Sequence, residues 1–122
     1  MPVVLVFVGG LVGAPLRYLL DKLVQARHDS VFPWGTFAIN ITGAFVLGAL
    51  TAAAATHGLP SNGTLLLGTG ICGAFTTFST FGFETMRLLE DGSLAEAGIN
   101  ALGSLVLGTL AAVAGYALLA WL

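Results

Sequence analysis

Four uncharged stretches, each about as long as a bilayer is thick, constrain this chain more than anything else in it. Met1–Leu16, the run from Ser30 to the loop at His57-Gly58-Leu59-Pro60, the run from there to Phe83, and Ala97–Leu122 contain no Asp, Glu, Lys or Arg. A membrane-spanning helix needs about 20 mostly apolar residues, so the chain has room for four, the first running past its uncharged stretch to include Arg17, Asp21 and Lys22. The pattern predicts helices near Val3–Val24, Pro33–Thr56, Asn62–Leu89 and Leu94–Trp121. The expected fold is an all-α membrane protein of four transmembrane helices, with residues 1–122 forming a single domain.

Composition agrees by exclusion. Charged residues make up 8% of the chain, whereas a soluble domain carries about 25%. An ordinary soluble enzyme is therefore excluded, and so is a nucleic-acid partner, because a net charge of −2 leaves no basic patch. Disorder is excluded by the high hydrophobic content, 57%. The first run has no basic segment ahead of its apolar core, so it reads as a membrane helix and not as a signal peptide. Trp34 and Trp121 fall near predicted helix ends, where amphipathic rings suit the interface. The lone Cys72 fits no disulfide, metal or redox spacing.

Four spans put the loops near 21–31 and 86–96 on one side, with Lys22, Arg27, Arg87 and the neighbouring Arg17. The opposite side, with both termini and the loop at 57–62, has no Lys or Arg. The positive-inside rule places the charged loops in the cytoplasm. Arg17 has three readings open to it: snorkelling to the interface, pairing with Asp21 four residues later, or setting a positive potential at a vestibule. Glu84, Arg87, Glu90 and Asp91 read as a solvated helix end.

Seventeen glycines and the small-residue pairs Gly9/Gly13, Ala44/Gly48 and Ser104/Gly108 point to closely packed helices. The third span is the anomaly. Gly68, Gly70 and Gly73 precede Ala74-Phe75-Thr76-Thr77-Phe78-Ser79-Thr80-Phe81, a poor sequence for a continuous helix. Either the helix breaks there, which in a bilayer requires protein or a hydrated site to satisfy the freed backbone, or its hydroxyls bond back to preceding carbonyls. Phe75, Phe78 and Phe81 recur on one face, as packing or as ring edges that an anion can approach. Asn40 in the second span, and Asn100 and Ser104 in the fourth, are either interhelical hydrogen-bonding groups or donors to a permeating anion. The spans hold no deep acidic residue for a proton relay, and no nucleophile, metal-ligand or phosphate-loop constellation supports catalysis.

The strings Gly9-Gly10-x-x-Gly13-Ala14-x-x-Arg17-Tyr18, Gly35-Thr36-x-x-x-Asn40-x-x-Gly43 and Gly73-x-x-Thr76-Thr77-Phe78-Ser79-Thr80-Phe81 together resemble the Fluc (CrcB) fluoride channels, along essentially the whole chain. The resemblance implies a fluoride-selective channel, passively exporting cytoplasmic fluoride across a prokaryotic cell membrane. It implies an antiparallel dual-topology dimer with a break in the third helix and pores along the dimer interface. It also implies a structural sodium ion held by the backbone carbonyls of Gly73 and Thr76. Its pore residues map to Asn40, Thr77, Phe78, Ser79, Phe81 and Ser104, with Asn100 a looser match, and its vestibule arginine maps to Arg17. The partners it implies are fluoride, the lipid bilayer and a second copy of the chain. The one-sided Lys/Arg distribution admits an oppositely oriented paralogue in place of that copy.

Two other functions compete. A small multidrug-type transporter is also short and four-spanning, but carries an acidic residue in its first helix, where residues 2–16 have none. A non-transporting membrane assembly protein would explain the glycines without the Thr-Phe string beside Asn40.

Overall fold

The computed structural model describes residues 2–28 and 32–122; Met1 and Ser30, where two of the uncharged runs begin, lie outside the described residues. The described residues are helical throughout their regular structure, in the order α1 (Pro2–Ala26), α2 (Trp34–Thr56), a one-turn α3 (Ser61–Gly63), a π-helix (Thr64–Cys72), the short α4 (Gly73–Phe75), α5 (Phe78–Glu90) and α6 (Leu94–Trp121). Four spans are long and apolar enough to cross a membrane: Pro2–Ala26, Trp34–Thr56, Ser61–Glu90 and Leu94–Trp121. These match the four expected helices to within two residues at each end.

The arrangement of residues is inverted relative to a soluble bundle. Large apolar side chains such as Val3, Phe7, Leu102 and Leu105 are exposed, while Thr36, Thr77 and Asn100 are buried. Such a surface suits lipid or another apolar partner, and the polar groups are kept for the interior.

Glycines set how near the helices come. The α2/α6 pair has the most extensive contact of any two helices. It is close because a Cβ on Gly48 would overlap the Ala112 carbonyl, and one on Gly115 would overlap that of Phe45. The contact between α1 and the π-helix follows the same rule. A Cβ on Gly9 would stand 2.5 Å from the Leu66 oxygen and 2.7 Å from the Gly70 Cα. Backbone-to-backbone approach of this kind replaces the hydrophobic driving force that lipid removes.

The third span departs from a regular helix twice. The first departure was not expected: Gly68 and Gly70 lie in a π-helix, in which the Gly73 N–H reaches back five residues to Gly68 O and also to Gly70 O. These glycines widen the helix without ending it. The interruption comes later, at Thr76 (φ −79°, ψ 158°) and Thr77 (φ −148°, ψ 124°), both extended. The helix restarts at Phe78. It ends at Gly92 (φ 80°), where the Ser93 N–H bonds Leu88 O at 2.8 Å and the Gly92 N–H bonds Leu89 O. That glycine-terminated cap explains why so short a connection turns the chain into α6.

The glycine contacts predict a sharp contrast on one helix pair. Gly48→Val, whose side chain would meet Ala112 backbone, should destabilise the protein by about 1–3 kcal/mol. Gly103→Ala, whose Cβ would sit 3.5 Å from the Phe37 ring in ordinary contact, should leave the melting temperature in detergent nearly unchanged. Equal melting of the two variants would show that the α2/α6 spacing does not depend on Gly48.

Candidate functional site

The site grows from the interruption of the third span. A helix running through residues 73–80 would send the Thr77 N–H to Gly73 O and the Thr80 N–H to Thr76 O. Neither bond forms. The Thr77 N–H goes to Asn40 Oδ1 at 2.9 Å, and Asn40 Nδ2 donates to Thr77 O at 2.9 Å. One side-chain amide from α2 thus satisfies both backbone groups of Thr77, in the geometry of a peptide pairing with a peptide. The Thr80 N–H goes to Thr77 Oγ1 at 3.2 Å, which caps α5. Thr76 Oγ1 donates to Cys72 O at 3.0 Å and closes the end of α4.

Asn40 uses one of its two amide protons on Thr77. It lines an open groove of about 820 Å³ together with Thr76, Thr77, Phe78, Phe81, Ser104 and Gly108. Of the expected pore residues, then, the structure brings Asn40, Thr77, Phe78, Phe81 and Ser104 to one groove. Ser79 does not line it; its Oγ lies 3.5 Å from Thr77 Oγ1 on an exposed turn. Phe78 is 84% exposed and stands 6.0 Å, ring centre to ring centre, from Phe81. The Ser104 hydroxyl is buried with no hydrogen-bond partner, in a residue that lines the groove.

A second recess, of about 500 Å³, opens towards the charged loops and is lined by Arg17, Tyr18, Asp21, Lys22, Gln25, Thr36, Ile39, Thr77 and Thr80. Arg17 is half-buried in its wall, and Lys22 Nζ lies 5.7 Å from the Tyr18 ring centre. Thr77 lines both this recess and the groove. A wall carrying Arg17, Lys22 and Asp21 therefore stands on one side of the break and a neutral, aromatic one on the other.

Two readings of the sequence change here. Glu84 is not part of a solvated helix end: it is half-buried, and Thr36 Oγ1 donates to its Oε1 at 2.5 Å. Thr36 is 3% exposed, so this carboxylate belongs to the helix interior. Asn100, the looser match, is fully buried and outside the groove lining, and its Nδ2 donates to Thr85 Oγ1 at 2.8 Å. Thr85 carried no signal in the sequence, because its partner lies fifteen residues away on another helix. Gln25 was missed for the same reason; its Oε1 accepts from the Gly35 N–H at 2.9 Å and ties α1 to the start of α2.

Comparison with known proteins gives this geometry a family. The family described as "CrcB-like protein, Camphor Resistance (CrcB)" matches residues 4–116. A relative from Streptomyces avermitilis called fluoride-specific ion channel FluC 1 is 58% identical over 111 residues, 91% of this chain and 90% of its own. A protein of the same name from Frankia casuarinae is 48% identical over 119 residues, 93% and 92% of the two chains. Fluoride-specific ion channel FluC 2 of Mycobacterium tuberculosis is 47% identical over 108 residues, 88% and 82% of the two. At these identities and coverages the chain belongs to the CrcB family, a family of multi-pass membrane ion channels and not of enzymes.

Proposed function

We propose that this protein is a fluoride-selective channel that passively exports fluoride from the cytoplasm, through a prokaryotic cell membrane, and so reduces its toxicity. The observation that carries the reading is the Asn40–Thr77 clamp, which opens a break in a membrane span beside two phenylalanines and an unpartnered serine hydroxyl. Fluoride is small and strongly hydrated, so a selective path must replace its water with well-placed donors. The donors within reach of the groove are the second amide proton of Asn40, the Ser104 hydroxyl, and the positive edges of Phe78 and Phe81. Arg17 in the recess raises the local anion concentration without entering the groove. Hydrogen fluoride entering by diffusion dissociates at cytoplasmic pH. The anion then leaves down its own gradient, which needs neither ATP nor a coupling carboxylate.

The resident sodium ion is part of the same proposal. Gly73 O and Thr76 O are the carbonyls whose helical partners, the N–H groups of Thr77 and Thr80, are diverted to Asn40 and to the Thr77 hydroxyl. Uncharged hard oxygens released by a helix break are suited to sodium, so these residues fit the ion and would hold it. When bound, the cation supplies a positive charge that offsets the carbonyl dipoles at the break.

The dimer belongs to the proposal as well. The groove is open along its length, and Phe78, one of its walls, is 84% exposed. A single copy cannot enclose an anion there. A second copy in antiparallel orientation would close it, and we take this homodimer over a paralogue of opposite orientation.

Purified protein in liposomes should release fluoride without a proton gradient and should hold back chloride. Release that required a proton gradient, or that passed chloride equally, would contradict the proposal. Asn40→Asp removes the donor to Thr77 O and places a negative charge beside an anion path; it should slow efflux at least about tenfold in protein that remains monodisperse. Phe78→Ile, which keeps bulk and removes the ring edge, should also impair it. Normal efflux from both variants would refute the site assignment. For dual topology, a Leu122→Cys protein in a Cys72→Ser background should be labelled in about half of its molecules by an impermeant thiol reagent on intact cells. Labelling of all molecules, or none, would mean a single orientation.

A further inference from the structure

We infer that Asn100 is a positioning residue: acting through the Thr85 hydroxyl, it holds the backbone of Phe81, and with it the aromatic wall of the groove, at a fixed offset from Ser104. The link consists of Asn100 Nδ2–H donating to Thr85 Oγ1 at 2.8 Å and Thr85 Oγ1–H donating to Phe81 O at 2.8 Å. With Asn100 Nδ2 facing Thr85, the hydroxyl accepts from the amide and gives its one proton to Phe81 O. Asn100 Oδ1 is then buried with no partner.

The unpartnered oxygen makes the case. Asn100 is fully buried, and leaving a buried carbonyl unsatisfied costs stability. A position that needed only packing would be filled by leucine without that cost. What the amide adds is the bond to Thr85.

The placement of the link gives it a consequence. Phe81 and Thr85 are one turn apart on α5, and Asn100 and Ser104 are one turn apart on α6. The bond therefore sits one helical turn from the place where Phe81 and Ser104 line the groove. Contact between α5 and α6 is less extensive than that between α2 and α6, so a directed bond matters more in fixing their offset. Among the described residues, the polar ties of α5 and its cap to α2, from Thr77 to Asn40 and from Glu84 to Thr36, cannot set its distance from α6.

The functional half of this inference rests on the fluoride-channel reading; the bond itself does not. Asn100→Leu and Thr85→Val, each reconstituted as the full chain in liposomes, should slow fluoride efflux about fivefold, the size of one lost hydrogen bond. Each should also lower the preference for fluoride over chloride. The double variant should be slowed about fivefold too, and not by the product of the two, because both changes cut one link. Thr85→Ser, which retains the hydroxyl, should restore efflux and selectivity. Wild-type efflux with unchanged selectivity in either single variant overturns the inference. So does a further loss on adding Asn100→Leu to Thr85→Val, which would mean that Asn100 acts by a contact of its own. A second readout needs no transport. The side-chain amide proton resonance of Asn100 in detergent should shift in Thr85→Val and stay in place in Thr85→Ser. A resonance that does not move in Thr85→Val overturns the link even if the wild type proves silent, whereas a silent wild type whose resonance shifts overturns only the channel reading.

Discussion

The Asn40 amide is what allows this chain to interrupt a helix inside a bilayer. Hydrocarbon offers no partner to a freed N–H or C=O, and each such group costs several kcal/mol when left bare. Asn40 satisfies both polar groups of Thr77 at once, so Thr77 is kept extended without leaving its own N–H and C=O bare. Three features follow. Phe78 starts a new helix, whose N-terminal end carries partial positive charge into the span. The carbonyls of Gly73 and Thr76 are separated from their helical partners. Thr77 comes to line both the recess that holds Arg17 and the groove that holds Phe78.

The glycine contacts determine where this chemistry can be used. Gly9, Gly13, Gly48 and Gly115 bring backbones so near that a methyl group would not fit between them. Beside these close approaches, Asn40, Thr76 and Thr77 line an open groove together with the exposed ring of Phe78. On the proposed reading, tight packing within one chain and the use of a second surface to complete a path go together.

Much of this was readable from the residues. The four spans follow from where charge is absent, because bilayer thickness fixes the length of each run. The break was readable too. Adjacent threonines resist a helix, and Thr77 with Thr80 three residues on supplies the cap for a restart. The π-helix was not, since Leu65-Leu66-Leu67-Gly68-Thr69-Gly70 has no polar periodicity to distinguish a wider winding from a regular one. Glu84 and Asn100 were misread or left open for a different reason. Thr36 is 48 positions from Glu84, and Thr85 is fifteen from Asn100. Bonds of that kind exist only once the helices have met. Local sequence therefore marked the break in the third span but not the ties that hold it.

The site also separates two tasks that one charged residue would confuse. A path that conducts must bind its ion well enough to admit it and weakly enough to let it go. A buried guanidinium in the groove would meet the first demand and fail the second, because the attraction between opposite charges grows steeply as water is excluded. Here the guanidinium of Arg17 stays in the recess towards the charged loops, and the groove beyond Thr77 offers amide, hydroxyl and ring edge. Each of these neutral dipoles is weaker than a full charge, and on the proposed path they would together replace hydration in small steps. Their value depends on geometry, since a hydrogen bond weakens steeply once its donor angle falls below about 120°. That dependence accounts for the effort spent on alignment: a side-chain amide clamping Thr77, a threonine cap starting α5, and a buried Asn100 with one oxygen left unsatisfied.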